Sequence, residues 1–292
     1  MDLNYQNYFN EDHESIRALA MDFAQKTIAP VAMEADRTEV FPREIADQMG
    51  ELGFFGLNIP EEYGGLSMDM RSYVCVMEEI ARKSAAATLF ISSANSLSTE
   101  PILLFGTEEQ KRKYVPGVAS GEFYIAFGLT EPGAGSDAGA LKTTAVREGD
   151  DYILNGTKCF ITFAPWAKYT VIFAKTAPEL GTRGISAFIV DMSLPGVSCG
   201  KPEEKMGQRG VPVSDIVLDN VRVPASCMVG EENKGVINAM KTLNVGRVGV
   251  AAMSLGLASE ALDLAVEYTK QRVQFGKPLA AQQAIRFMLA DM

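Results

Sequence analysis

Tyr124-Ile-Ala-Phe-Gly-Leu-Thr-Glu-Pro-Gly-Ala-Gly-Ser-Asp-Ala138 is the stretch whose reading decides the fold. An apolar, strand-like run enters a polar turn rich in glycine. Gly133 and Gly135 let backbone N–H groups approach a ligand closely, and Thr130 and Ser136 place hydroxyls beside them. Such a loop suits an anion, a phosphate or the polar edge of a flat heterocycle. The run from Gly133 to Ala138 also fits the G-x-G-x-x-A dinucleotide pattern, with Asp150 and Asp151 not far from where an acidic ribose partner would sit. That fingerprint requires a helix directly after the glycines. Here Leu141-Lys-Thr-Thr-Ala-Val146 follows, rich in β-branched residues and ending at Gly149 and Asp150. It reads as a strand, and the dinucleotide reading is rejected.

Outward from the loop the texture changes on both sides. Before it, Ile16, Leu19, Ala20 and Phe23 fall at helical spacing, with Pro30 expected to end that segment. Pro42 opens a second helix, Tyr63-Gly64-Gly65 marks a loop, and a third helix covers Tyr73 to Lys83. Thr107-Glu-Glu-Gln110 is a capping box, expected to start a short helix that stops near Pro116. From Gly121 to about Gly230 the chain carries short Val, Ile, Thr and Tyr runs broken by turns. Asn155-Gly156 is the hairpin signal there, between Tyr152-Ile-Leu154 and Lys158-Cys-Phe-Ile-Thr162. Further strands are expected over 169–175, 185–191 and 214–223. Helix returns after Gly235, with Val248, Leu255, Leu262 and Val266 on one apolar face, then a turn at Gln274-Phe-Gly-Lys-Pro278. A last helix begins near Ala281 and carries Ile285, Met288, Leu289 and Met292 on one stripe. The fold class is therefore α+β and multidomain. A helical domain (1–120) leads into a central β-barrel or sandwich domain with the loop (121–230), then the start of a C-terminal helical bundle (231–292). The chain stops in mid-stripe at Met292 without a glycine cap, which reads as an incomplete bundle.

Composition narrows the function. Hydrophobic residues make up 47% of the 292 and charged residues 22%, enough for a real core. A net charge of −10 without a basic stripe excludes a nucleic-acid surface. No leader is visible in the Met1-Asp-Leu-Asn start and no run reads as membrane-spanning, so a cytoplasmic location is expected. Cys75, Cys159, Cys199 and Cys227 are spaced for neither zinc nor disulfides and read as buried small hydrophobes. His13 is the only histidine and reads as a solvated residue near a helix start. Acid–base chemistry must fall to a carboxylate, a tyrosine or a cofactor.

The order of these segments resembles the acyl-CoA dehydrogenase family of flavoenzymes along essentially the whole chain. The motifs that carry the resemblance are Phe127-Gly-Leu-Thr-Glu-Pro-Gly-Ala-Gly-Ser-Asp137, Asn155-Gly-Thr-Lys-Cys-Phe-Ile-Thr162, Lys205-Met-Gly-Gln-Arg-Gly210, Val221-Arg-Val-Pro224, Gly246-Arg247, Arg272-Val-Gln-Phe-Gly-Lys-Pro278 and Gln283-Ala-Ile-Arg-Phe-Met-Leu-Ala-Asp291. Among subfamilies it looks most like bacterial short-chain, butyryl-CoA-type members. The resemblance implies FAD, an acyl-CoA substrate, an electron-transfer flavoprotein as redox partner, and a homo-oligomer, tetramer or dimer. It implies that Phe127, Leu129, Thr130 and Ser136 lie at the flavin or at its junction with substrate, and that Phe160 and Thr162 hold the isoalloxazine ring. Arg272, Gln274, Phe275 and Gln283 would reach the FAD of a neighbouring subunit, and Asn244 and Arg247 the substrate. Taken singly, most of these residues have a packing or capping explanation; the ordered set favours the flavin.

Two departures stand out. The family's catalytic glutamate is expected beyond Met292 in most members and just before the arginine matched by Arg247 in a few, where this chain has Gly246. The catalytic base is therefore unknown from this sequence. Phe163-Ala164 stands where Asn-Gly usually follows the threonine. Glu131, in its Thr-Glu-Pro setting, reads as structural and not as the base. Two alternatives stay open: an enoyl-CoA reductase of an electron-bifurcating complex on this scaffold, and a non-catalytic acyl-CoA- or flavin-binding relative that lacks the base.

Overall fold

The computed structural model describes residues 8–292, so the amino-terminal start from which the absence of a leader was read lies outside the described residues. The first helix, α1 (Glu11–Phe23), opens on a capping box: the Asn10 side chain accepts from the His13 N–H, and His13 Nδ1 accepts from the Asn10 N–H. His13 is thus not solvated. It is 3% exposed, and its Nε2 meets Asp69 Oδ1 at 2.9 Å. With Nδ1 accepting, Nε2 carries the proton and donates it to Asp69. Asp69 also accepts from the Arg71 and Ser72 N–H groups, so one carboxylate caps α4 (Met70–Lys83) and pins it to α1.

Pro30 does not end the first helix. A π-helical turn, Ala24–Ile28, carries the chain into α2 (Ala29–Thr38), where Pro30 lies in the first turn and needs no N–H partner. Pro42 precedes α3 (Arg43–Glu51) as expected. After α4 come α5 (Ala85–Ser92), a second π-helical turn at Ser93–Leu97, α6 (Glu100–Phe105) and α7 (Glu108–Ala119). The Thr107–Gln110 capping box is present, but α7 runs through Pro116 because Tyr114, Val115, Val118 and Ala119 bury on either side of it.

The middle of the chain forms one curled seven-stranded sheet: β1 (Tyr124–Gly128), β2 (Thr144–Glu148), β3 (Asp151–Thr162), β4 (Ala167–Lys175), β5 (Ile185–Asp191), β6 (Val197–Cys199) and β7 (Val213–Pro224). β4 is the branch point. β5 pairs antiparallel along one edge; β1 pairs parallel along the other as far as Ile172, and β2 joins at Lys175. From β2 the sheet continues through β3 and β7 to β6. Asn155-Gly156 is not a hairpin turn. Both residues lie inside β3, where Gly156 (φ 153°) forms an irregularity opposite β7, and a Cβ there would come within 2.4 Å of Thr143 Oγ1. The turn is two residues long and falls at Gly149-Asp150, where Glu148 pairs with Asp151. Cys75 and Cys159 are buried as expected and Cys227 is half-buried, but Cys199 is exposed on the short edge strand β6.

One apolar core joins the helical domain to β1, β4 and β5, and a second fills the inside of the curl around Tyr152, Ile172, Phe188 and Val221. The chain then forms α8 (Gly235–Gln271), a small hairpin of β8 (Val273–Gln274) and β9 (Lys277–Pro278), and α9 (Gln283–Asp291). The expected apolar face of α8 is not its buried face: Val248 and Leu255 are exposed, while Gly249, Ala252, Met253 and Gly256 are buried. Small residues let α8 lie close on α4, with Gly249 against Tyr73 and Gly256 against Ala81. α8 also corrects the expectation that no run has membrane-spanning character. Among the described residues it is the one helix long and apolar enough to cross a membrane by length and composition, with an 18-residue window of mean hydropathy 1.4.

Two glycines of α8 make a matched test of this packing. A Cβ on Gly249 would come within 2.1 Å of Tyr73 Oη, whereas one on Gly246 meets nothing closer than 3.7 Å. In urea unfolding, Gly249→Ala is expected to cost about 1–3 kcal/mol. Gly246→Ala should gain up to about 1 kcal/mol from helix propensity. Equal effects of the two substitutions would refute the close α4–α8 contact.

Candidate functional site

The glycine loop rests on a buried ion pair. Lys158, on β3, is 0% exposed, and its Nζ donates to Glu131 Oε1 (2.8 Å), the Phe173 carbonyl (2.6 Å) and the Leu129 carbonyl (3.3 Å). Phe173 lies on β4 between the last residue paired with β1 and the first paired with β2. The ammonium therefore fills the gap where β4 changes partner. Glu131 in turn accepts from the Lys142 N–H and from both the N–H and the hydroxyl of Thr143. Burial alone would raise the Glu131 carboxyl, but the hydrogen bonds from Lys158, Thr143 and the Lys142 N–H outweigh it and hold it below the usual carboxylate range. Burial pulls Lys158 the other way, down to about 8, against the attraction of Glu131. Geometry decides the protonation state. Three acceptors surround Nζ and only an ammonium has three protons to give, so the pair is ionised. Glu131 is structural, as its setting indicated.

Above this pair opens a cleft of about 360 Å³, within the range of small-molecule sites. The β domain contributes Phe127, Leu129, Thr130, Gly135, Ser136, Ala138, Phe160, Ile161 and Thr162; α8 contributes Met240, Leu243 and Arg247. The π-helical turn of the helical domain adds Ser93 and Leu97. The six residues expected from the two β-domain motifs, Phe127, Leu129, Thr130, Ser136, Phe160 and Thr162, thus line the same cleft as Arg247 from a distant segment. Phe160 is 66% exposed and held at φ 57°, a left-handed conformation with no compensating burial. Gly133 and Gly135 face open space, so backbone approach there is unobstructed. Arg247 is exposed and donates through Nη1 to Asn244 Oδ1, which holds the guanidinium while leaving further donors. No Asp or Glu lines the cleft. Phe163, in place of the usual Asn, is fully buried at φ 64° and stacks on Tyr124 with ring centroids 4.9 Å apart.

The remaining expected residues lie elsewhere. Arg272, Gln274 and Phe275 sit at the end of α8 and on the β8–β9 hairpin, and Gln283 opens α9; all are exposed, Phe275 by 95%. Arg272 lies roughly 37 Å along the α8 axis from Arg247, given the 1.5 Å rise per residue, so the hairpin cannot serve the same cleft. A wider depression of about 510 Å³ lies between α1 and the loop before α4, but its His13 and Asp69 are already engaged in capping. Among the described residues no cluster of His, Cys, Asp or Glu is placed to hold a metal. Ser93, Leu97, Met240 and Leu243 escaped the sequence reading, since apolar and small residues on helices carry no chemical signal. Only the π-helical distortion, common at functional sites, marks Ser93 and Leu97.

Comparison with known proteins agrees with this architecture. Three family models match in order: acyl-CoA dehydrogenase N-terminal domain over residues 10–122, middle domain over 126–221 and C-terminal domain over 233–292. The chain belongs to the acyl-CoA dehydrogenase family, an oxidoreductase family. It is 57% identical to the 3-(aryl)acrylate reductase of Clostridium sporogenes and 54% identical to the caffeyl-CoA reductase-Etf complex subunit CarC of Acetobacterium woodii, in each case over 98% of this chain and 76% of the relative. Butyryl-CoA dehydrogenase from Megasphaera elsdenii superposes with a TM-score of 0.94 at 43% identity, over 100% of this chain and 76% of that one. An acyl-CoA dehydrogenase from Bacillus anthracis, solved in complex with FAD, superposes with a TM-score of 0.90 at 36% identity, over 97% of this chain and 49% of that one.

The ion pair gives two stability tests. Lys158→Met strands a buried carboxylate and should cost about 3–5 kcal/mol in urea unfolding, only part of which returns in Lys158→Met/Glu131→Gln, because the Leu129 and Phe173 carbonyls still lack their donor. Because the folded Glu131 pKa is depressed, its stabilisation is complete above the unfolded value of about 4.3 and is lost as pH falls through the folded value. Glu131→Gln should therefore flatten the acid limb of stability against pH; an unchanged limb would show that Glu131 is not the linked group.

Proposed function

We propose that this chain binds FAD in the cleft and positions a short-chain acyl-CoA thioester for α,β-desaturation, a reaction that proceeds, with electrons passing to an electron-transfer flavoprotein, once a carboxylate base is supplied. The observation that carries the reading is the convergence of the glycine loop, the Phe160–Thr162 segment and Arg247 around one cleft. The residues present fit the cofactor. Phe160 offers an exposed ring face for stacking, Thr130, Ser136 and Thr162 offer hydroxyls for the polar edge, and the open loop glycines admit close backbone approach. Bound FAD supplies the hydride chemistry that no side chain here can provide. Leu97, Phe127, Met240 and Leu243 form an apolar wall that excludes water from the acyl group. Arg247, steadied by Asn244, binds the polar part of the thioester. Arg272, Gln274, Phe275 and Gln283 are exposed and remote from this cleft, as residues serving a neighbouring subunit's cofactor in a homo-oligomer must be.

The reductive direction is the second reading. It is favoured by one specific finding: the 57% and 54% identical relatives are reductases, one of them named as part of an Etf complex. Both directions share the cleft and the cofactor and differ only in which thioester is consumed.

The deciding experiment is anaerobic titration of the FAD-reconstituted protein with butyryl-CoA and, after chemical reduction, with crotonyl-CoA, following the visible flavin spectrum. Stoichiometric FAD is expected, and a chain that takes up none overturns the reading. Since no carboxylate lines the cleft, the unaltered sequence should hold its flavin oxidised in butyryl-CoA, and Gly246→Glu, which has room for a side chain, should bleach it. Phe160→Ala should weaken FAD binding by roughly tenfold, about 1.4 kcal/mol, while leaving the melting temperature of the FAD-free protein unchanged.

A further inference from the structure

The Leu129 carbonyl is held from inside the domain by a cation, and the next residue lines the cleft. A peptide unit is planar and trans, so its N–H points away from its C=O. Leu129 C=O points down to Lys158 Nζ, which sends the Thr130 N–H in the opposite direction. The Thr130 carbonyl is also fixed, accepting from the Cys159 N–H at 2.9 Å. The Glu131 N–H is turned back on the Ala134 carbonyl. Of these adjoining groups, only the Thr130 N–H has no partner among the described residues.

We propose that Lys158 is a positioning residue for the cleft: through the Leu129 carbonyl it aims and polarises the Leu129–Thr130 peptide, so that the Thr130 N–H is a strengthened donor to an electron-rich heteroatom of the bound heterocycle. Charge drawn toward the carbonyl oxygen by an ammonium in a dry site leaves the amide nitrogen more positive and its proton a better donor. Glu131 sets the strength of the effect. It neutralises most of the Lys158 charge at long range but leaves the ammonium on the Leu129 carbonyl, because Lys142 and Thr143 also hold the carboxylate and Nζ has separate protons for Glu131 Oε1 and for the Leu129 oxygen. A donor of this kind binds the two-electron-reduced, more negative form of a flavin better than the oxidised form, and so raises its reduction potential. The inference rests on the FAD reading above for its ligand, but not for the state of the peptide itself.

Two measurements test it. In the FAD-free protein labelled with 15N-threonine, the Thr130 amide proton should move upfield in Lys158→Met/Glu131→Gln, while that of Thr170, remote in β4, stays in place. In the FAD-loaded protein, anaerobic spectroelectrochemistry of the same double variant should show about tenfold weaker preference for reduced flavin, a midpoint lower by about 30 mV. Glu131→Gln alone removes the counter-charge and also the attraction that keeps the buried ammonium protonated, so relative to the unaltered protein at the same pH its midpoint should rise at low pH, where Lys158 stays charged, and lose that rise as pH is increased. A structural pair without influence on the cleft moves neither the amide nor the midpoint, and that result overturns the proposal. If the double variant fails to fold, the Glu131→Gln midpoint relative to the unaltered protein decides: a rise at low pH that is lost as pH increases supports the proposal, and no difference at any pH overturns it. Should the unaltered protein take up no FAD, the proposed function fails, and the Thr130 amide still decides the role of Lys158.

Discussion

The Lys158–Glu131 pair under the glycine loop is the contact on which the site's geometry depends. A buried ion pair is weak support for stability, because desolvating two charges costs about as much as their attraction returns. What this pair does is local and structural. β4 changes partner between Ile172 and Lys175, and the carbonyl of Phe173 falls in that gap. An apolar side chain in place of Lys158 would leave the carbonyls of Phe173 and Leu129 without their common donor, in a region with no access to water. The ammonium satisfies both, and Glu131 then fixes the start of the loop against Lys142 and Thr143. The loop thereby gains a defined floor even though Gly133 and Gly135 give it none.

The three-part architecture was legible because it rests on signals that local physics writes into sequence: helical spacing, capping residues and alternating β-branched runs. The misreadings share a cause, which is tertiary context overriding a local signal. Pro30 and Pro116 looked like stops, yet a π-helical turn accommodates one and flanking burial the other. Asn155-Gly156 looked like a hairpin, but Gly156 is required by the approach of Thr143, and the turn fell instead at Gly149-Asp150. On α8 the sequence points to the large apolar residues as the core face, whereas close helix packing buries the glycines and alanine. In the cleft, the polar and aromatic residues of the motifs were readable by chemistry and by family resemblance. Lys158 was not, although it stands inside a motif, since a lysine in sequence looks solvated until a fold surrounds it with carbonyls.

Phe160 and Phe163, three residues apart, show how strain separates packing from function. Both hold left-handed backbone angles, which cost a residue with a Cβ about 1–2 kcal/mol. Phe163 is fully buried, stacked on Tyr124 and packed on Phe90, so burial of its ring, about 1.5–3 kcal/mol, offsets its strain. Phe160 points the other way and is two-thirds exposed, with no aromatic partner among the described residues. Nothing in the chain itself compensates its conformation. The core contact of Phe163 fixes the end of β3, and the bulge between Lys158 and Ile161 leaves Phe160 turned out over the cleft. A side chain held in this way at a cost, with its face open to a cavity of ligand size, is stabilised only when something stacks on it. Buried Phe163 and buried Lys158 thus bracket Phe160, whose ring is left exposed at the cleft.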